Sequence, residues 1–384
     1  MMQTRDNRLY FIDAMRAWAI VMMLQGHFVD GLLDPVFRNA ESGAYGVWKY
    51  FRGITAPVFF TVSGFIFTYL LLRPGAKGLK NPRVKRGIKR GLELLLIGYL
   101  LRINLFGLLK GSIYPSFFVV DVLHIIGLSL LGIIALYLLT IKLPSWGFTM
   151  ALLGTTLLLF TLEPWYKTLD YGLLPHWIAN YFTKANGSVF TLVPWLGYAA
   201  FGAFLSKVFR SQKDHPRLYA LGIPLCLGLG AALIGWSSGI FLLLHDTLNL
   251  PLFNAVAHNN YLYMRLGDVL LVFALFMFLR QGLRNPTLIK LGQSTLSIYV
   301  IHFIVLYGSF TGLGLYHYFH HQLGVWTTIL GALGFTFGCC LLALAYENNK
   351  VRLKMGARSA WGWSKRNAKA HFPKMSRLFG TAKN

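Results

Sequence analysis

The stretch Phe11-Ile12-Asp13-Ala14-Met15-Arg16-Ala17-Trp18-Ala19-Ile20-Val21-Met22-Met23-Leu24-Gln25-Gly26-His27 is an apolar run that carries an aspartate, an arginine and a histidine. A charged side chain at the centre of a bilayer costs roughly 2.5 kcal/mol or more, so such residues persist where they face a protein interior or a polar cavity. The segment therefore reads as a membrane-spanning helix and as the place to look for chemistry. Apolar runs of about 20 residues, the length that crosses a bilayer, recur after it along the chain. The composition agrees, with 55% hydrophobic and 13% charged residues and a mean hydropathy of +0.52. Soluble domains are nearer a quarter charged.

The expected fold is an all-α polytopic integral membrane bundle of about ten transmembrane helices, at 9–29, 50–72, 91–109, 118–140, 146–163, 189–209, 218–240, 261–280, 291–312 and 325–346. The fifth span is short, and Ile240–Leu244 either extends the seventh or forms a re-entrant piece. The bundle is expected over residues 1–346, with 347–384 as a basic cytoplasmic tail that meets the lipid surface through its charges and Trp361, Trp363 and Phe372. No cleavable signal is evident, so the first run should stay as a helix.

The net charge of +24 does not point to nucleic acid, because the basic residues fall in alternate connections. Twenty-eight lysines and arginines lie on the side of the termini and five on the other. That asymmetry puts both termini in the cytoplasm. Cys226, Cys339 and Cys340 lie in apolar segments without metal or disulfide spacing and read as small buried hydrophobes.

His27 lies ~27 Å along the first helix from its cytoplasmic start, toward the outer side, with Gln25 and Asp30 near it. Imidazole suits proton transfer near neutral pH, and desolvation keeps it in the neutral form that a base requires. A buried structural histidine is the alternative. Asp13 and Arg16 sit one turn apart and either satisfy one another or present Arg16 to an anionic ligand entering from the cytoplasm. Arg52, Glu93, Arg102, Asp121, Arg265 and Asp268 also lie within spans and imply a hydrated interior, and His124 follows Asp121 by one turn.

Residues 73–90 carry eight basic groups and no acid. They read as topology signal and anionic-lipid contact, or as a site for the phosphates of a nucleotide cofactor through Arg73, Arg83, Lys85, Arg86 and Arg90. The proline, Ser63 and Gly64 of the second span read as a kinked, closely packed helix. The aromatic outer loops 164–188 and 241–260 read as an interfacial belt. His317, His320 and His321 have no nearby carboxylate or cysteine to support a metal site, and none is expected.

Together these pieces resemble the transmembrane acyltransferase superfamily, which includes the membrane-bound acyltransferase-3 proteins and the heparan-alpha-glucosaminide N-acetyltransferase-like proteins. Arg8, Asp13-x-x-Arg16 and the ten-residue gap to His27 resemble the acyltransferase-3 signature of the first helix. Val58-Phe59-Phe60-Thr61-Val62-Ser63-Gly64-Phe65 is similar to its second-helix block. Leu123-His124-Ile125-Ile126-Gly127-Leu128-Ser129 looks like a block of the heparan branch, with histidine where glutamine is usual. Gly292-Gln293-Ser294-Thr295-Leu296-Ser297-Ile298-Tyr299-Val300-Ile301-His302 resembles the terminal acyltransferase-3 block. The heparan branch also has glycine where Ala17 stands and asparagine where His27 stands. It uses a histidine in the following outer loop, which 31–60 lacks.

The resemblance, which covers about residues 8–310, implies transfer of an acyl group, commonly acetyl from acetyl-CoA, to a glycan or glycolipid hydroxyl or amine on the outer side. His27 would be catalytic, with Asp13 and Arg16 organising the site. Gln25, Asp30, Ser63, His124 and His302 are the candidate acceptor-binding residues. A bacterial inner membrane is the expected location, and a homo-oligomer is compatible with the sequence. The alternatives are a secondary transporter or lipid-linked-glycan carrier without covalent chemistry, and a non-catalytic assembly partner. The apparent lack of inverted repeats weighs against the transporter.

Overall fold

Backbone amides and carbonyls in lipid must be satisfied internally, which leaves helices as the solution for runs of this composition. The computed structural model describes residues 8–39, 41 and 43–371. Its long helices are α1 (Tyr10–Leu32), α2 (Gly43–Leu71), α3 (Pro82–Leu101), α4 (Val122–Leu139), α5 (Ser145–Thr161), α6 (Leu192–Ser211), α7 (Leu218–Leu248), α8 (Tyr261–Phe278), α9 (Thr295–Tyr307) and α10 (Val325–His371). Among the described residues there is no strand, only two isolated bridges between loops. The chain is an all-α polytopic bundle. On length and apolar composition, α2, α4 with its preceding turn, α6, α7, α8 and α10 can each cross a membrane. Pro286–Gln293 and α9, bent by 68°, form a further broken span. α1 is of comparable length but carries Asp13, Arg16 and Asp30, and α3 begins with five basic residues.

Each expected span has its helix, with shifts that have local causes. α3 starts at Pro82 rather than near 91, because the Asn81 side chain accepts the Arg83 amide at 2.9 Å and proline suits the first helical position. Arg83, Lys85, Arg86 and Arg90 therefore stand on a helix and not in a loop. The expected ninth span is split at Ser294, and Gly308, in the left-handed region at φ 68°, ends it. Ile240–Leu244 extends α7. α10 runs on to His371 without a break near 346. Arg5, Phe372 and the last basic residues of the tail lie outside the described residues, as do the side chains of Trp361 and Trp363.

Close approach of backbones fixes the bundle. A Cβ on Gly64 would fall 1.9 Å from the Ala199 carbonyl oxygen, and one on Gly202 would fall 1.8 Å from that of Thr61, so α2 and α6 touch through bare glycines. A Cβ on Gly292 would fall 2.0 Å from the Asp13 carbonyl oxygen, seating Pro286–Gln293 against the start of α1. α7 stands at the periphery against α8, with Leu221, Leu225, Trp236 and Leu243 exposed as suits a lipid-facing helix. At the end remote from the basic connections the loops bind one another. The Leu105 amide donates to Phe310 at 2.8 Å, that of Leu323 to Leu32 at 2.9 Å, and that of Val189 to Val120 at 3.1 Å.

Candidate active site

Beneath these joined loops lies a cavity of about 720 Å³. Met22, Met23, Gly26 and His27 of α1 form one wall, and Arg52, Gly53, Ala56 and Phe59 of α2 continue it. Leu101, Arg102 and Asp121 close the α3–α4 side, Lys184 and Phe190 come from the loop before α6, and Trp195 comes from the first turn of α6. Tyr299, Phe303, Tyr307 and Tyr316 complete the lining. Ser116, Gly187 and Gly312 of the lining are exposed, so the cavity reaches the surface at the loop end.

The 3.6-residue period puts Met23 and His27 on one helical face. His27 Nδ1 lies 2.8 Å from the Tyr307 hydroxyl, at the last residue of α9. Its ring centroid is 5.3 Å from that of His302, which is buried with neither nitrogen hydrogen-bonded. His302 stands five residues before Tyr307 on α9 and backs His27 without lining the cavity.

Three basic residues line the cavity, and each has its own surroundings. Arg52 is ion-paired to Asp30, and Gly26 leaves room for its side chain, since a Cβ there would come 3.3 Å from Arg52 Cγ. Arg102 Nε donates to Asp121 at 3.2 Å, with its guanidinium over the Phe303 ring at 5.6 Å. Asp121 caps α4, accepting the Leu123 amide at 3.1 Å. It also stands 3.0 Å from His124 Nδ1. Lys184 lies in the outer loop. Burial holds its ammonium below the usual lysine value, the charge of Lys167 adds to this, and Glu163 opposes it.

The sequence-derived candidates separate into groups. His27 lines the cavity, Asp30 orients Arg52, and Gln25 accepts from Trp48 Nε1 at 2.6 Å. His124 is fully buried and reaches the cavity only through Asp121; its ring fills the space that a side chain on Gly98 would need. Ser63 does not line the cavity; its hydroxyl donates to the Phe59 carbonyl at 2.7 Å.

Asp13 and Arg16 form a separate cluster ~16 Å along α1 from His27. Arg8 Nε donates to Asp13 at 3.0 Å, Arg16 lies 3.9 Å from the same carboxylate, and Arg16 Nη2 donates to Thr295 Oγ1 at 3.0 Å. Arg73, Lys85, Arg86 and Arg90 are exposed and Arg83 is half-buried, all at the basic end away from the cavity. Among the described residues, no group of three or more histidines, cysteines or carboxylates is placed to hold a metal.

Sequence reasoning did not assign Tyr307, Lys184, Phe190 or Trp195 to the site. Arg52, Arg102 and Asp121 were visible as charges within spans, but their convergence depends on the loops.

The arrangement offers an imidazole and a phenol in the wall of a surface-reaching cavity with cations and aromatic faces, which suits proton transfer to or from a polar substrate. No curated protein matches the chain. The family model for the acyltransferase domain of the acyltransferase-3 group matches residues 9–345, and the chain belongs to that family of membrane acyltransferases.

Proposed function

We propose that the protein moves an acyl group, in the simplest case acetyl, from a cytosolic acyl-CoA to a hydroxyl or amine of an extracytoplasmic glycan or glycolipid. His27 is the catalytic base. The observation that carries this reading is the His27 imidazole in the cavity wall, 2.8 Å from the Tyr307 hydroxyl. When Nδ1–H donates to the Tyr307 oxygen, Nε2 keeps its lone pair for the acceptor.

For a hydroxyl acceptor, the O–H gives its proton to Nε2 while the oxygen forms a bond to the thioester carbonyl carbon, whose π pair moves onto the carbonyl oxygen. On collapse the C–S bond breaks and the imidazolium returns its proton to the departing sulfur. The products are an ester and a free thiol. An acyl-histidine route would place the acyl group on the imidazole before the acceptor attacks.

The donor approaches from the basic end, where Arg73, Arg83, Lys85, Arg86 and Arg90 suit the phosphates of CoA. Asp13 and Arg16 lie between that end and the cavity and organise the donor side. Asp30 and Gln25 serve the acceptor side through Arg52 and Trp48, His124 through Asp121, and His302 by backing His27. Membrane lipids surround the bundle, and a bacterial inner membrane suits both the charge asymmetry and the donor.

The test uses purified full-length protein in lipid nanodiscs, radiolabelled acetyl-CoA and a panel of glycan acceptors. General acid–base catalysis contributes about 10²–10⁴-fold. His27→Ala is therefore expected to lose acyl transfer by at least about 10²-fold while keeping its thermal unfolding temperature. Near-normal turnover by that variant rejects the role.

A further inference from the structure

The charges of the cavity do not balance, and the imbalance bears on the acceptor. Arg52, Arg102 and Lys184 line it, against Asp121 as the single carboxylate among its lining residues. Asp121 is already engaged by Arg102, His124 and the Leu123 amide. Arg52 has Asp30.

Arg102 has a side chain only 14% exposed and uses Nε toward Asp121 and Nη1 toward the Ser116 carbonyl at 3.4 Å. The remainder of its five-donor fork is available to a planar anion. Lys184 has Lys167 and Glu163 as its charged surroundings. Glu163 is itself ion-paired to Lys167 and accepts the Tyr261 hydroxyl at 2.9 Å. Lys184 is exposed where the cavity reaches the surface. The largely buried Arg102 guanidinium is stabilised by an opposite charge, which a neutral sugar does not supply.

Aromatic faces share the cavity. Phe190 and Trp195, whose rings lie 4.7 Å apart at 75°, line it together with Tyr316. Such faces suit the C–H side of a saccharide ring, while the cations suit an anionic substituent on it.

We propose that the acceptor is an anionic saccharide whose carboxylate or phosphate seats against Lys184 and Arg102 while a neighbouring hydroxyl reaches His27. This rests on the acyl-transfer reading and adds the charge class of its acceptor.

The experiment measures equilibrium binding to full-length His27→Ala protein in phosphatidylcholine nanodiscs, so that turnover does not contribute. One pair of fluorescent probes is a glucuronate-containing hexasaccharide and a neutral hexasaccharide. The other is a mannose oligosaccharide with and without a 6-phosphate. In at least one pair the acidic member is expected to bind about tenfold more tightly, and that pair tells carboxylate from phosphate. High salt should narrow the gap. Lys184→Gln and Arg102→Gln should each reduce it, and Lys184→Arg should retain it.

Equal binding within both pairs, no binding of either acidic probe, or a preference that neither glutamine substitution alters overturns the inference. Displacement of the acidic probe by free CoA more readily than by its own unlabelled saccharide also overturns it, because the cations would then serve the donor. Transfer by the unsubstituted protein to neutral and acidic members at equal kcat/KM removes this inference and leaves the acyl-transfer reading. An acid preference in the His27→Ala protein, with no His27-dependent transfer by the unsubstituted one, does the reverse.

Discussion

Tyr307 touches His27 through one hydrogen bond of 2.8 Å between residues 280 apart in the chain. If that bond fixes which ring nitrogen is free, Tyr307→Phe leaves the imidazole in place but loosens its tautomer and aim. One such bond is worth about 1 kcal/mol net, so kcat should fall about fivefold to tenfold with KM nearly unchanged. Steady-state kinetics on the purified variant checks this, and an unchanged kcat would remove the phenol from the mechanism. His27 was legible because a histidine in an apolar run has few comfortable places. Tyr307 was not, since a tyrosine near a membrane interface is ordinary. Ser63 sits in a motif-like block, but outside the cavity lining, where its hydroxyl donates to a carbonyl one turn back.

Helix identity was written in apolar run length, but helix ends were set by caps and backbone turns that a hydropathy pattern does not carry. Asn81 and Pro82 begin α3 well before its apolar part, and the break at Ser294 divides what reads as one span. The small residues around Gly64 were legible as a close-packing face, but not that Gly202 of α6 would be the partner. Gly64→Val would drive side-chain atoms into the Ala199 carbonyl, and Gly202→Val would do the same at Thr61. Overpacking of this kind costs about 1–3 kcal/mol or more. Each variant should lower the unfolding temperature in detergent by several degrees, whereas Gly228→Ala, in open space on α7, should leave it unchanged.

The orientation of the whole bundle comes from charge alone, because opposite ends of a helix bundle are not otherwise distinguished by its packing. In a background free of Cys226, Cys339 and Cys340, a cysteine at Asn186 in the exposed loop beside Lys184 should react with a membrane-impermeant maleimide in intact cells. One at Lys213, between α6 and α7, should react only after lysis. The reverse pattern would invert the proposed approach of donor and acceptor. The family was legible from blocks spread along the chain, while the cavity was not, because its lining is drawn from helices and loops far apart in sequence that meet only when the bundle assembles.

α9 touches α1 at both of its own ends, Thr295 to Arg16 and Tyr307 to His27. Those contacts fasten two helices at two heights, so Arg16 and His27 are two marks ~16 Å apart along the axis of α1. On the proposed reading, a thioester held near the Arg16 mark carries its carbonyl to the His27 mark. Replacing acetyl-CoA by the truncated S-acetyl-N-acetylcysteamine should therefore lower kcat/KM by orders of magnitude, with the loss falling on kcat as well as on binding, because a short donor cannot hold both marks at once.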